Sequence, residues 1–207
     1  MIFKDFCVSY GETAIFDNFN CEFLDKGINC IMGPSGAGKT TLLNCLAGLT
    51  EYKGEISQHS GVSYVFQESR LIPELTVCKN LEFALRGVYP NKVTLKQKID
   101  DLLTSVGLLG QGGKYPHSLS GGMAQRVALI RAFGYPSEIL LMDEPFGGLD
   151  VRTKDGVIEV FLKLWKDDKR TVFFVTHDLE EAKQLAGRIY VLSDKPIKEA
   201  VTTKQLS

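Results

Sequence analysis

Gly33-Pro34-Ser35-Gly36-Ala37-Gly38-Lys39-Thr40-Thr41 decides how this chain is read. The stretch fits G-x-x-x-x-G-K-[ST], the phosphate-binding P-loop, which needs a strand before it and a helix after it. Both are legible: Gly27-Ile28-Asn29-Cys30-Ile31-Met32 reads as a short buried strand, and Thr41-Leu42-Leu43-Asn44-Cys45-Leu46-Ala47-Gly48-Leu49 as a helix. In that setting the glycines let the backbone wrap a polyphosphate, aiming N–H groups and a helix N-terminus at its charge. Lys39 is placed to reach the β- and γ-phosphates, and the Thr40 hydroxyl to ligate Mg²⁺. The motif predicts a nucleoside triphosphate as ligand.

Working outward, apolar runs at 28–32, 62–66, 139–142, 171–175 and 189–192 have the continuous hydrophobicity of central parallel strands. Two alternating stretches precede them, with Phe6, Val8 and Tyr10 on one face and Phe19, Cys21 and Phe23 on another. Punctuated by Gly11, Asn18 and Gly27, they predict a small N-terminal antiparallel sheet. Leu95, Ile99, Leu102, Leu103 and Val106 mark a one-faced helix, and Met123 to Phe133 continue a helix entered through Gly121-Gly122. Asp178 with Glu181 reads as a capping box opening a helix that carries Leu179, Ala182, Leu185 and Ala186. Helical signals fill about 73–133, with strands and helices alternating on either side. The expected architecture is α/β: a parallel core, an antiparallel β-subdomain and a helical subdomain, in a single domain spanning 1–207.

Composition narrows the classes. The 24 basic and 25 acidic residues nearly cancel, so no global field draws the chain to nucleic acid, and none is expected as a partner. Lys166-Asp167-Asp168-Lys169-Arg170 mixes signs, as a solvated turn or helix end does. The five cysteines are scattered without a C-x-x-C pair, which argues against a zinc site or disulfide framework and suits a reducing compartment. Met1-Ile2-Phe3-Lys4-Asp5 does not open a signal peptide, and no apolar run approaches the ~20 residues of a membrane-spanning helix. Work at a membrane would need a partner to hold the chain there.

Two further motifs carry chemistry. Ile139-Leu140-Leu141-Met142-Asp143-Glu144-Pro145 is an apolar strand that delivers two acids to its C-terminal end, where parallel sheets bind ligands. Beside a P-loop, the first acid supports Mg²⁺, usually through water, and the second orients and deprotonates the attacking water. Leu119-Ser120-Gly121-Gly122-Met123 opens a helix with two glycines, a second anion-binding device. Standing alone it reads equally as an N-cap by Ser120. Two phosphate cradles in one small domain are redundant unless they serve the same nucleotide from different copies.

This ordered set resembles the nucleotide-binding subunits of ABC (ATP-binding cassette) transporters over essentially the whole chain. The P-loop matches the family's Walker A, Asp143-Glu144 end its Walker B, and 119–123 resembles its LSGGQ signature, followed by a matching Ala124-Gln125-Arg126. Gln67 in Val65-Phe66-Gln67-Glu68 sits at the Q-loop position, Gly148-Leu149-Asp150 fits the D-loop, and His177 in Val175-Thr176-His177-Asp178 fits the switch histidine. Tyr10 stands where the family has an aromatic that stacks on adenine; a strand aromatic can equally be packed.

The resemblance implies a P-loop NTPase fold with a RecA-like core, an ATPase activity, and ATP with Mg²⁺ as ligands. It implies that Gly33, Pro34, Ser35, Gly36, Ala37, Gly38, Lys39, Thr40 and Thr41 cradle the phosphates, and that Thr40, Gln67 and Asp143 serve the metal. Glu144 and His177 would hold the attacking water in line, with Gln67 and Lys39 acting on the γ-phosphate. Ser120, Gly121 and Gly122 would reach the γ-phosphate held by a second copy, so that two chains sandwich two ATP molecules head to tail with Asp150 at the interface. Met123 departs from the family's glutamine and cannot hydrogen-bond as an amide does.

Finer resemblances suggest which ABC protein this is. Leu71-Ile72-Pro73-Glu74-Leu75-Thr76-Val77-Cys78-Lys79-Asn80-Leu81 resembles the stretch that forms the groove for a coupling helix of a membrane subunit, although its apolar residues also suit subdomain core. Phe146-Gly147-Gly148-Leu149-Asp150 looks like the PFGALD version of bacterial importer cassettes for nitrate, sulfonate or thiamine precursors. Import is therefore expected, with integral membrane permease subunits, an extracytoplasmic substrate-binding protein and a peripheral position on the cytoplasmic face. The alternatives are an exporter or release cassette, or a soluble ABC ATPase. A DNA-repair relative would insert a long coiled coil between Gln67 and Ser120, where only residues 68–119 lie. A translation-type relative would carry two cassettes, and an ordinary P-loop kinase would have no use for 120–122 or His177. The chain ends soon after 189–192, so inhibition through an extra C-terminal domain is not expected.

Overall fold

The computed structural model describes residues 1–193 and 195–204. In chain order its elements are β1 (Ile2–Tyr10), β2 (Thr13–Glu22), β3 (Ile28–Met32), α1 (Lys39–Leu46), β4 (Lys53–Ile56), β5 (Val62–Phe66), α2 (Val77–Leu85), α3 (Lys92–Ser105), α4 (Gly121–Gly134), β6 (Ile139–Asp143), α5 (Val151–Asp167), β7 (Thr171–Val175), α6 (Leu179–Leu185), β8 (Arg188–Leu192) and β9 (Ala200–Lys204). They fall into two compact units. The first holds residues 1–62, 138–144 and 169 onward; the second holds Ser63–Ser137 and Pro145–Asp168.

In the first unit β1 and β2 form an antiparallel hairpin across Gly11 (φ 57), and β4 pairs with the other edge of β1. Asn18, expected to punctuate the strands, lies inside β2 at φ 53, where its N–H donates to Cys7 Sγ at 3.1 Å. A short amide side chain tolerates that left-handed conformation, so a bulge signal resembles a strand end in sequence.

Four parallel strands follow in the order β6-β7-β3-β8, and their uninterrupted apolar runs are explained by burial on both faces. The exception, Asn29 in β3, is fully paired: Oδ1 accepts from Leu24 N–H at 2.7 Å, and Nδ2 donates to Leu24 O and Val172 O. β9 extends the sheet antiparallel to β8, with Val201 opposite Val191. Its Thr-rich sequence reads as a polar tail, because an edge strand buries too little to show a pattern. Phe3, Phe6, Phe16, Phe19 and Phe23 form an edge-to-face cluster, and Phe23 continues it onto Phe173 and Tyr190 at 5.0 and 4.5 Å. Burying such rings, at roughly 1.5–3 kcal/mol each, makes one core of the antiparallel and parallel sheets of this unit.

The second unit is the helical one, with α2, α3, α4 and α5 and the strand β5 running into it. α3 buries Leu95, Ile99, Leu102 and Leu103, the stripe its period predicts, and begins at Asn91, whose Oδ1 accepts from Val93 and Thr94 N–H. α5 is capped by Asp150, whose carboxylate accepts from Thr153 N–H at 3.1 Å, and buries Val157, Ile158, Phe161 and Leu164. The mixed charges at 166–170 are its C-terminal end and the turn beyond, solvated at 166–169 as expected, whereas Arg170 is buried just before the next strand.

Candidate active site

The P-loop leaves the C-terminal end of β3 and enters α1 in the first unit. Gly33 (φ 149), Gly36 (φ 75) and Gly38 (φ 91) take conformations that favour glycine. Space enforces two of them as well. A Cβ on Gly38 would come within 2.6 Å of Ile15 Cγ2, and one on Gly33 within 2.8 Å of Leu192 O. No side chain caps α1 and its first turn holds no acid, so its leading N–H groups and positive dipole end face the loop. Lys39 Nζ donates to Gly33 O and Pro34 O, both at 2.9 Å, which employs two of its three protons and holds the ammonium at the loop mouth. Ala37 is buried, while Pro34 and Ser35 are exposed at the loop's crest.

β6 delivers Asp143 to the same end of the sheet. Thr40 Oγ1 donates to Asp143 Oδ2 at 3.0 Å, bringing the loop's hydroxyl and the strand's carboxylate together. Among the described residues no group of three or more His, Cys, Asp or Glu is gathered as a metal cage. An alcohol and one carboxylate are nonetheless the donor set suited to Mg²⁺, which takes few protein oxygens and completes its shell with phosphates and water.

Glu144 follows at φ 46, a left-handed conformation costly for a residue with a Cβ. Its N–H donates to Val175 O at 3.0 Å, which extends the β6–β7 ladder past the strand end. Its Oε1 lies 3.2 Å from His177 Nδ1, with the Glu144 side chain 29% exposed and that of His177 74% exposed. A carboxylate beside an imidazole at a sheet's ligand-binding edge can accept a proton from water while the ring orients it.

The turn carrying His177 is fixed by residues whose part the sequence does not announce. Asp178 caps α6 by accepting from Glu180 and Glu181 N–H, as expected. Asp178 N–H donates to Thr176 Oγ1 at 3.0 Å, and that hydroxyl donates to the buried Glu181 Oε2 at 2.7 Å. The capping box is thus relayed through Thr176, leaving His177 as the exposed apex. Tyr10 ends β1 with its residue 52% exposed, so its ring is not core packing.

Gln67 and the glycine pair belong to the second unit. Gln67 is exposed just past the end of β5. Ser120 caps α4, its Oγ accepting from Met123 N–H at 3.3 Å, which leaves the hydroxyl proton to be donated. Met123 supplies only its backbone to this cap, so the missing amide does not affect it. Gly122 is buried against α5, where a Cβ would collide with Thr153 Cγ2; Gly121 is exposed and faces Leu149. A packing demand therefore stands behind one of the two glycines in addition to any ligand. Asp150, the α5 cap, is exposed, and its hydrogen bonds from the Thr153 side chain and backbone hold its carboxyl below the ordinary range.

The ABC transporter family profile matches residues 16–147. The aliphatic sulfonates import ATP-binding protein SsuB of Bacillus licheniformis is 40% identical over 194 residues, covering 89% of this chain and 75% of that protein. An uncharacterized ABC transporter ATP-binding protein of Methanocaldococcus jannaschii is 43% identical over 212 residues, covering 96% and 78%. A solved dimeric ATP-binding cassette, in a post-hydrolysis state bound to ADP and Pi, matches with a TM-score of 0.82 at 29% identity, covering 100% of this chain and 99% of that one. A parallel sheet that presents a P-loop, an Asp-Glu strand end and a histidine along one edge fits that kinship, and the chain belongs to the ABC transporter family as an ATP-binding, ATP-hydrolysing cassette.

Proposed function

We propose that two copies of this chain close head to tail over two ATP molecules and so drive import of a solute through integral membrane permease subunits. The observation that carries the reading is the shared edge on which Thr40 meets Asp143 and Glu144 meets His177 beside the P-loop. In this reading the loop 33–41 and the α1 N-terminus bind the phosphates, Lys39 bridges the β- and γ-groups, and Tyr10 stacks on adenine. Thr40 and Asp143 would hold Mg²⁺, and Gln67 would also serve it; the ion, when bound, would neutralise phosphate charge. Glu144 takes the proton of the attacking water, and His177 keeps carboxylate and water aligned. Ser120, Gly121 and Gly122 of the second copy donate to the γ-phosphate, so neither copy is complete alone. Catalysis is then positioning plus charge stabilisation. Residues 1–207 act as one ABC domain, with the helical subdomain at about 73–133 docking the permease.

Relatives named for aliphatic sulfonate import support the direction of transport. No helix among the described residues is long and apolar enough to cross a membrane, so the permease would supply the membrane location. The test is gentle solubilisation of native membranes and capture of the tagged chain. An integral membrane subunit with an extracytoplasmic binding protein is the expected result. A membrane subunit without a binding protein would redirect the reading to export, and soluble partners alone would overturn it.

A further inference from the structure

α4 begins with the signature glycines and, one turn later, buries the side chain of Gln125, which is 3% exposed. Gln125 Nε2 donates to Phe66 O at 3.0 Å and to Pro145 O at 2.6 Å. Two carbonyls can be satisfied together only by the –NH₂ end of the amide, so the orientation of the side chain is fixed, and both of its protons are used. The two acceptors are the residues flanking the proposed chemistry: Phe66 immediately precedes Gln67, and Pro145 immediately follows Glu144. Farther along the helix, Arg131 donates from Nη1 to Arg70 O at 2.8 Å and from Nη2 to Ser69 O at 2.9 Å. α4 therefore holds the Gln67 segment at both ends, while Gln67 itself stays exposed.

We propose that Gln125 is a positioning residue for hydrolysis, tying the backbone beside Gln67 and the backbone beside Glu144 to the helix that starts at Ser120. The inference rests on the ATP-hydrolysis reading of Glu144 and Gln67, and it adds a residue that touches neither nucleotide nor water. Docking of α4 against a second copy's nucleotide would, through this amide, reach two catalytic segments at once. Glutamine is required by reach as well as by chemistry. Asparagine keeps the amide but is one methylene too short for both carbonyls, and alanine leaves two buried acceptors unmatched.

The test uses the full chain with Gln125→Ala and Gln125→Asn, and Glu144→Gln in parallel. For both Gln125 variants kcat falls about ten- to a hundredfold, the scale of a misplacement near 1 Å. KM for ATP and the affinity for a non-hydrolysable ATP analogue stay within about twofold of the parent, since the P-loop does not depend on the clamp. Amide exchange accelerates at residues 67–70 and at Phe146 and Gly147, but not at the amides of 33–41. In single-turnover reactions, Gln125→Ala added to Glu144→Gln brings a smaller further loss than it causes in the parent, because one of the two groups it positions is already disabled. Should the alanine variant not fold, the asparagine variant decides. Unchanged kcat, a rise in KM matching the fall in kcat, or losses that multiply in the double variant would each overturn the proposal. If Glu144→Gln itself retained parental turnover, the hydrolysis reading would fall instead, which keeps the two failures apart.

Discussion

Glu144 bears the most informative backbone angle in the first unit. A glutamate at φ 46 gives up roughly 1–3 kcal/mol relative to a relaxed conformation, and it is held there by its N–H bond to Val175 O. The gain is a carboxylate turned to meet His177 at 3.2 Å. Glu144→Gln preserves the shape, the backbone angle and a hydrogen-bonding oxygen while removing the base. Its turnover is expected to fall about 10²–10⁴-fold, the usual contribution of a general base, with ATP affinity retained. Steady-state ATPase assays beside a nucleotide titration read both quantities. Parental turnover in this variant would falsify the role given to Glu144.

At the scale of elements, stability rests on polar side chains that close turns. Asn80, buried in α2, accepts from Ile72 N–H at 2.7 Å and donates to Ile72 O, Leu75 O and Thr76 O at 3.0–3.1 Å, organising the loop ahead of its own helix. Asn80→Ala removes all of these contacts and is expected to cost about 2–3 kcal/mol. At ~2–4 °C per kcal/mol for a chain of this size, calorimetry should show a melting point lower by about 4–12 °C. An unchanged melting point would show the loop is held by other means. The same distinction explains what the sequence discloses. The P-loop, β6 with Asp143-Glu144, the α3 stripe and the parallel strands are legible because local spacing and hydrophobic period encode them. Asn29, Asn80, Gln125 and the Thr176–Glu181 relay are not, since each closes a turn or loop that no hydrophobic period or motif marks. β9 and the bulge at Asn18 escape for the related reason that neither buries a periodic face.

At the scale of the whole molecule, two expectations concern folding and assembly. Burial, opposed only partly by Arg188, raises the Cys21 thiol to about 12; burial raises Cys30 to about 12 and Cys45 to about 11, against 9.0 for an exposed thiol. Below pH 9 both folded and unfolded chains keep these protons. Above it the unfolded chain loses them first, so stability declines from pH 9 toward 11–12 as the folded pKa values are approached. Urea midpoints at pH 8 and 10 should show this decline, and Cys30→Ala with Cys45→Ala should make it shallower; an equal decline would place it elsewhere. Assembly is tested by complementation. In a head-to-tail dimer each site joins Glu144 of one copy to Ser120 of the other. Glu144→Gln and Ser120→Arg chains should each be inactive alone, yet a dimer formed from one of each contains one site with both residues intact. Random pairing in an equal mixture then restores at most about a quarter of the parental sites. Varying the ratio of the two dead variants at constant total protein should make ATPase activity rise and then fall, with its maximum near equal amounts. A flat baseline across the titration, with both variants folded and binding ATP, would mean that Ser120 acts on the nucleotide of its own chain or not at all. A maximum would place the working unit at two chains and make dimer closure the step that completes catalysis.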